Sequence, residues 1–305
     1  MVLKFIALGD MGSGEKEQFK VSKGIERIIK NLKNKRIKNI SFIVGLGDNI
    51  YECGVKSSTD KQFKNKFEKP YKNIDKKFYM CLGNHDYSGP EYCLKTFESY
   101  EDYKDSPLHE IEYSNISKKW IMPGKYYYYT YAVDKSCNAD FFVIDTNIDR
   151  MGKKEQIEQL TFITDAINKS TAKWKILYGH HPWRSLGGHG HADNSLEQYF
   201  RELINKTKNT KIDLYMCGHD HNKQYIELDV KNKYKIPLMV CGTGGKEHEL
   251  NEDFNIKNSP DNDYQIHYFS NTLGFACIKI YNAKMELFFF NHSGKKVEFR
   301  TAITK

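Results

Sequence analysis

The chain has 305 residues, 39% hydrophobic and 28% charged, which is enough apolar material to bury a sizeable core. Its net charge of +8 comes from lysines spread along the chain, as in 30–38 and 231–235, so it describes a solvated basic surface and gives no footing for nucleic-acid binding. No run of about 18 apolar residues occurs, which excludes a transmembrane helix.

In chain order, Met1 stands directly before a core strand, with no signal peptide. That is the pattern left when an upstream leader is removed. Residues 5–9 read as a short apolar strand, and Val21, Ile25, Ile28, Ile29 and Leu32 then recur at helical spacing on a Lys-rich helix. Buried strands follow at 40–46 and 77–82. Residues 87–122, rich in Glu, Tyr, Asp and Ser, read as a long loop. The tyrosine run 126–129 reads as a strand with tyrosines on both faces. A strand at 141–144 leads to a helix with Ile157, Leu160, Ile163, Thr164 and Ile167 on one face. Then come a strand at 174–178, a helix at 196–204 and a strand at 212–217. This alternation predicts α/β layers with buried strands.

The last third differs. Segments 224–228, 237–241, 274–281, 285–290 and 297–301 read as strands joined by short turns, and Asn282-Ala283-Lys284 and Ser293-Gly294-Lys295 are hairpin-type connections. They predict a second, more antiparallel sheet packed on the first, with residues 244–270 as a further loop. Metal-ligand residue types are spread from residue 10 to residue 221, which argues for one domain over 1–305.

Five short motifs end predicted strands: Gly9-Asp10-Met11-Gly12, Gly47-Asp48-Asn49-Ile50-Tyr51, Gly83-Asn84-His85-Asp86, Gly179-His180-His181-Pro182 and Gly218-His219-Asp220-His221. Each sets Asp, Asn or His just beyond an apolar strand, where ligands bind in open α/β sheets. One such turn alone is ordinary turn chemistry. All five together can converge on one site.

The set and its order resemble the calcineurin-like metallophosphoesterases. Tyr51 narrows the resemblance to the purple, or tartrate-resistant, acid phosphatases. Lys118-Lys119-Trp120 with Pro123, Ile144-Asp145-Thr146, and Gly188-His189-Gly190 at the family's spacing after His180 extend it over essentially the whole chain. It is similar to the small, single-domain, mammalian-type members. The resemblance implies a four-layer α/β/β/α sandwich, with two mixed sheets face to face, flanking helices and a dinuclear metal site at the C-terminal ends of the strands.

It also implies a ligand set. Asp10, Asp48, Tyr51 and His221 would hold Fe(III). Asp48, Asn84, His180 and His219 would hold a divalent Fe, Zn or Mn ion, with Asp48 as the bridge. Hard Fe(III) suits carboxylate and phenolate oxygen, and imidazoles suit the divalent ion. An anionic bridge offsets the repulsion of two cations about 3.5–4 Å apart. Water activated by the metals would attack a phosphate monoester in line, releasing inorganic phosphate with no covalent phospho-enzyme. His85 and His189 match family positions outside the metal shell that protonate or stabilise the leaving group, since imidazolium is well populated in acid.

His181 and His191 either touch substrate or are plain loop histidines; the family often has Tyr where His181 stands. Asp86 and Asp220 either support neighbouring ligands or are turn residues. His109, His248, His267 and His292 fit no motif and read as surface. Mammalian-type members carry a repressive loop after the Asp-Thr strand. Here residues 147–154 are short, so control by its cleavage is not expected.

Of seven cysteines, Cys81, Cys217, Cys241 and Cys277 lie in apolar runs and read as buried thiols. Cys53 and Cys93 follow two of the motifs and could form a disulfide, while no CxxC pair suggests a zinc ribbon. Sequons occur at Asn39, Asn115, Asn168, Asn205 and Asn291, with Asn39 the least suited because it precedes a buried strand. The family places such enzymes in the secretory pathway, in an acidic vacuole or lysosome, or outside the cell, and a monomer is expected. Two other readings remain: another calcineurin-like hydrolase such as a phosphodiesterase or protein phosphatase, and a non-catalytic scaffold with the same fold. Tyr51 speaks against the first, and the complete set of ligand positions against the second.

Overall fold

The computed structural model describes residues 2–30, 39–94, 99–207, 210–230, 234–246 and 263–305. Strands and helices follow in the order β1 (Leu3–Leu8), α1 (Lys16–Lys30), β2 (Phe42–Gly45), α2 (Lys61–Phe63, continued by a π-turn to Glu68), β3 (Phe78–Met80), α3 (Pro90–Cys93), α4 (Ser106–Tyr113), β4 (Trp120–Ile121), β5 (Tyr127–Asp134), β6 (Cys137–Val143), α5 (Lys153–Lys169), β7 (Trp174–Tyr178), α6 (Asn194–Lys206), β8 (Leu214–Cys217), β9 (Lys223–Asp229), β10 (Lys235–Cys241), β11 (Tyr264–Ser270), β12 (Gly274–Ile280), β13 (Lys284–Asn291) and β14 (Val297–Thr304).

Two seven-stranded sheets result, ordered β14-β13-β12-β1-β2-β3-β4 and β11-β9-β10-β8-β7-β6-β5. In the first, β1 to β4 run parallel and β12 to β14 antiparallel. In the second, β6, β7, β8 and β10 run parallel, with β5, β9 and β11 antiparallel to their neighbours.

The strand residues alternate between two cores, as a period of two requires. Ala139, Phe141, Ile176, Tyr178, Leu214 and Met216 face the first sheet. Their neighbours Phe142, Leu177, Tyr215 and Cys217 face α5 and α6, which bury Leu160, Ile163, Leu196 and Leu203 against them. Between the sheets, Phe5 stacks on Phe42 at 5.1 Å, and both meet Phe141 edge-on at 5.3 and 5.4 Å. These offset and edge contacts are the favoured aromatic geometries. Helix α1 buries Val21, Ile25 and Ile28 and lies against β12. The layers are therefore α/β/β/α, as the family resemblance implied.

Three expectations change. The C-terminal strands do not form a sheet of their own. Strands β12 to β14 extend the first sheet from the edge of β1, while β9 to β11 extend the second from β8, because each parallel half leaves an edge whose backbone groups need partners. The 87–122 loop contains α3, α4 and β4, of which α4 starts on Ser106-Pro107, a sequence suited to a first helical turn. The 244–270 loop ends in β11, whose alternation is broken by a bulge between Ile266 and Tyr268. Leu32, residues 247–262 and His248 lie outside the described residues. Strand β5 outruns the tyrosine run. Tyr129 and Tyr131 pack towards the sheet interface, while Tyr128 is 53% exposed.

Candidate metal centre

All five motif turns leave the C-terminal ends of parallel strands at one rim of the sandwich. Backbone bonds stitch them together. Asp10 N donates to the Gly47 carbonyl at 2.9 Å, Tyr51 N to Gly12 at 3.0 Å, and Gly218 N to His180 at 2.9 Å. The approach is close enough to exclude side chains at several of the motif glycines, Gly83 and Gly47 among them. A Cβ on Gly83 would lie 2.2 Å from Asp48 Oδ1, and one on Gly47, where φ is +85°, 2.5 Å from His180 Nδ1. Asp10, Asp48 and His219 themselves adopt left-handed backbone, with φ of 57°, 51° and 69°. Such conformations cost roughly 1–3 kcal/mol each and cluster at functional sites.

The side chains form two groups with Asp48 between them. In the first, Tyr51 Oη is 3.0 Å from Asp10 Oδ1 and 3.1 Å from His221 Nε2, and that nitrogen is 3.3 Å from Asp10 Oδ1. In the second, Asn84 Oδ1 is 3.0 Å from His180 Nε2 and 2.9 Å from His219 Nδ1, and the two ring nitrogens are 3.2 Å apart. Asp48 Oδ1 lies 3.4 Å from His180 Nε2.

Hydrogen bonds fix which atoms point inward. His180 Nδ1 donates to the Leu46 carbonyl at 2.8 Å, so neutral His180 presents the Nε2 lone pair. Asn84 Nδ2 donates to Tyr92 Oη at 2.8 Å, so its carbonyl oxygen faces the imidazoles. Two lone-pair atoms 3.0 Å apart repel unless a cation lies within reach of both. The protein's own groups compensate Asp48 but leave Asp10 and Tyr51 without enough positive charge. Burial would raise Asp48, but in the metal-free protein His180 and His85 in their protonated forms, together with hydrogen bonds from His85 N and Tyr51, bring its carboxyl down to about 2. Burial, with Asp48, pushes Asp10 well above the usual carboxylate range. Burial, with Asp10 and Asp48, raises Tyr51. Burial and the neighbouring histidines lower His219. The donor set therefore fits two cations, one on each side of Asp48.

A cleft of about 260 Å³ opens over the second group, lined by Asn84, Tyr92, Arg150, His181, His189 and His219 among others. The His189 ring lies 4.4 Å from that of His219. His85 is held between the rings of Tyr51 and Tyr92, at 4.4 and 4.1 Å, with Nδ1 2.6 Å from the Glu52 carbonyl. His181 is close enough to join a cluster with His180 and His219. Its partner Thr146 argues that it is a donor. The Thr146 hydroxyl accepts from His180 N at 3.2 Å and His181 N at 3.0 Å, which uses its two lone pairs. Its proton then goes to His181 Nδ1 at 2.8 Å, leaving Nε2–H on His181.

Asp86 and Asp220 prove to be supports. Asp86 accepts from Asn49 N at 2.7 Å, Gly83 N at 2.8 Å and Ile50 N at 3.1 Å, tying the Asp48 and Asn84 turns together. Asp220 accepts from His189 N at 3.0 Å and from the Ser185 hydroxyl. His191 Nδ1 accepts from Ser185 N at 3.2 Å and lines the cleft, while His267 and His292 are exposed and His109 pairs with Glu112. Cys53 and Cys93 form a disulfide, and Cys81, Cys137, Cys217, Cys241 and Cys277 are buried free thiols.

The sequence reading missed Glu110 and Lys246. Glu110 is wholly buried beside Asp86, and its Oε2 is 3.1 Å from Asn49 Nδ2. Burial and Asp48 push Asp86 up to about 8, and burial and Asp86 raise Glu110. Nothing local marks Glu110, because a lone Glu on a short helix reads as solvated. Lys246 follows Gly244-Gly245 and lies against Tyr51.

The calcineurin-like phosphoesterase sequence model matches residues 3–223, and the chain belongs to that family. Within it, the chain is similar to tartrate-resistant and purple acid phosphatases over nearly its whole length. It is 26% identical to tartrate-resistant acid phosphatase type 5 of Rattus norvegicus, covering 99% of this chain and 90% of that one. It is 27% identical to purple acid phosphatase 4 of Arabidopsis thaliana, covering 97% and 82%. Among solved structures, the GAP50 anchor of the inner membrane complex of Plasmodium shares the fold, with a TM-score of 0.77 at 24% identity, covering 99% of this chain and 89% of that chain. A purple acid phosphatase from yellow lupin seeds shares it too, with a TM-score of 0.68 at 15% identity, covering 100% and 54%. No described helix is long and apolar enough to cross a membrane.

Proposed function

We propose that residues 1–305 act as one unit, an acid phosphatase of the purple type that hydrolyses phosphate monoesters at a dinuclear Fe(III)–M(II) centre by direct attack of activated water. The observation that carries this reading is the pair of donor groups about Asp48, one holding a phenol oxygen and a carboxylate, the other an amide oxygen and two imidazoles. Asp10, Asp48, Tyr51 and His221 would hold iron, and Asp48, Asn84, His180 and His219 the divalent Fe, Zn or Mn ion. When bound, the pair supplies Lewis-acid charge neutralisation and an activated water.

The chain's own side chains do the rest. The cleft over Asn84 and His219 orients the ester, with Arg150 and the His181 Nε2–H available to anionic oxygens. His189, on the cleft wall, would pass a proton to the leaving oxygen, and His85 would stabilise negative charge from its place between Tyr51 and Tyr92. The Cys53–Cys93 disulfide supports residence in an oxidising compartment, in keeping with the secretory pathway or an acidic vacuole.

The test combines metal analysis, a visible spectrum and a phosphate-ester assay across pH. Two metals per chain, a visible tyrosinate-to-iron band and hydrolysis in acid are expected. Hydrolysis without a visible band in the oxidised, iron-loaded protein would select another phosphoesterase chemistry. A metal-free, inactive protein would leave the fold as a scaffold.

A further inference from the structure

A cation stands over the Tyr51 ring. Lys246 Nζ lies 4.7 Å from the ring centroid and 2.7 Å from Glu52 Oε1. The backbone carries it there. Gly9 N donates to the Cys241 carbonyl at 2.8 Å and Gly244 N to the Gly9 carbonyl at 3.0 Å, so the turn leading to Lys246 is fastened to the turn that bears Asp10. Tyr51 is 2% exposed and the Lys246 side chain 22%, so the charge acts on the ring with little water between them.

We propose that Lys246 and Glu52 are a tuning pair for the Tyr51 phenolate. The ammonium stabilises negative charge on the ring and so weakens what the phenolate oxygen donates to a ferric ion among Asp10, Tyr51 and His221. The Glu52 carboxylate acts in the opposite sense. This inference rests on the proposed function. A cation at the ring lowers the donor orbital and raises the energy of the tyrosinate-to-iron transition. It also favours the ferrous over the ferric ion. Glu52 Oε2 also lies 3.8 Å from His85 Nδ1, so turnover is a poor readout and the spectrum a good one.

The experiment compares iron content, visible band and reduction potential in iron-loaded wild type, Lys246→Met, Glu52→Gln, the double variant and Lys246→Arg. Lys246→Met is expected to move the band to longer wavelength and lower the potential. Glu52→Gln should do the reverse, the double variant should return close to wild type, and Lys246→Arg should match it. With iron retained, single-variant shifts of one sign, or none, overturn the tuning. Loss of iron from Lys246→Met would overturn it too, by making Lys246 a strut for its loop. A wild-type protein that binds iron without a visible band overturns the purple acid phosphatase reading itself, which separates the two failures.

Discussion

His180 joins the two sheets at Asp48: its Nδ1 donates to the Leu46 carbonyl at 2.8 Å while its Nε2 stands 3.4 Å from Asp48 Oδ1. One imidazole from the second sheet thus fixes Leu46, the residue after β2, and faces the carboxylate two residues beyond Leu46. The site exists only where the sheets meet: the first sheet carries Asp10, Asp48, Tyr51 and Asn84, and the second carries His180, His219 and His221.

Asp48 stands between both donor groups, so Asp48→Ala should remove both metals and activity together. Its carboxylate also accepts from His85 N at 3.0 Å, and the Asn84 turn should loosen with it. Metal analysis after dialysis checks this. Two retained ions with near-normal turnover would rule out a bridging carboxylate.

Tyr51→Phe should abolish visible colour more completely than hydrolysis. With iron bound as proposed, the phenolate would be the source of the charge-transfer band, whereas attack on phosphorus would need only activated water. The variant loses Tyr51 Oη contacts with Asp10 and His221, so some iron should be lost as well. Colour per bound iron, rather than per chain, is the quantity to compare.

His189→Ala should spare both metals and lower kcat roughly 10²–10⁴-fold for poor leaving groups, the usual range for general acid catalysis. The loss should shrink for an activated aryl ester. Burial lowers His189 from its ordinary value, and nearby His221 and His180 add to this against Asp220. Its acid form is therefore confined to lower pH, and a step that needs it should fade as pH rises. An equal loss for good and poor leaving groups would reduce His189 to substrate binding.

Glu110→Gln should flatten the dependence of stability on pH in the metal-free protein. Asp86 is raised to about 8 and Glu110 is raised above its ordinary value, so in the folded state both hold protons that the unfolded chain has released. A raised carboxyl contributes fully below its unfolded value, near 4, and that contribution is lost as pH rises towards 8. Thermal unfolding should show Glu110→Gln gaining on wild type at pH 8 and differing little at pH 4. A parallel offset at both pH values would assign the residue a packing role alone.

The sequence by itself determined the turns and the chemistry they carry. Gly-Asp, Gly-Asn-His-Asp and Gly-His-Asp-His each follow an apolar run, and apolar periodicity marks a strand and its end from local information. The turns could therefore be placed before any contact was known, while Asp10, Asp48, Tyr51, Asn84, His180, His219 and His221 were named as ligands by the family resemblance that these motifs carry. Tertiary structure decided what periodicity does not encode. A strand pattern states which face is buried but not which edge it joins, so β12 beside β1 and β9 beside β10 followed from which backbone edges needed partners. The burial of Glu110 against Asp86, the Nε2–H tautomer of His181 and the ammonium of Lys246 over Tyr51 are likewise relations between distant segments. A side chain's charge and proton depend on its neighbours in space, and those neighbours are set only when the two sheets close on each other.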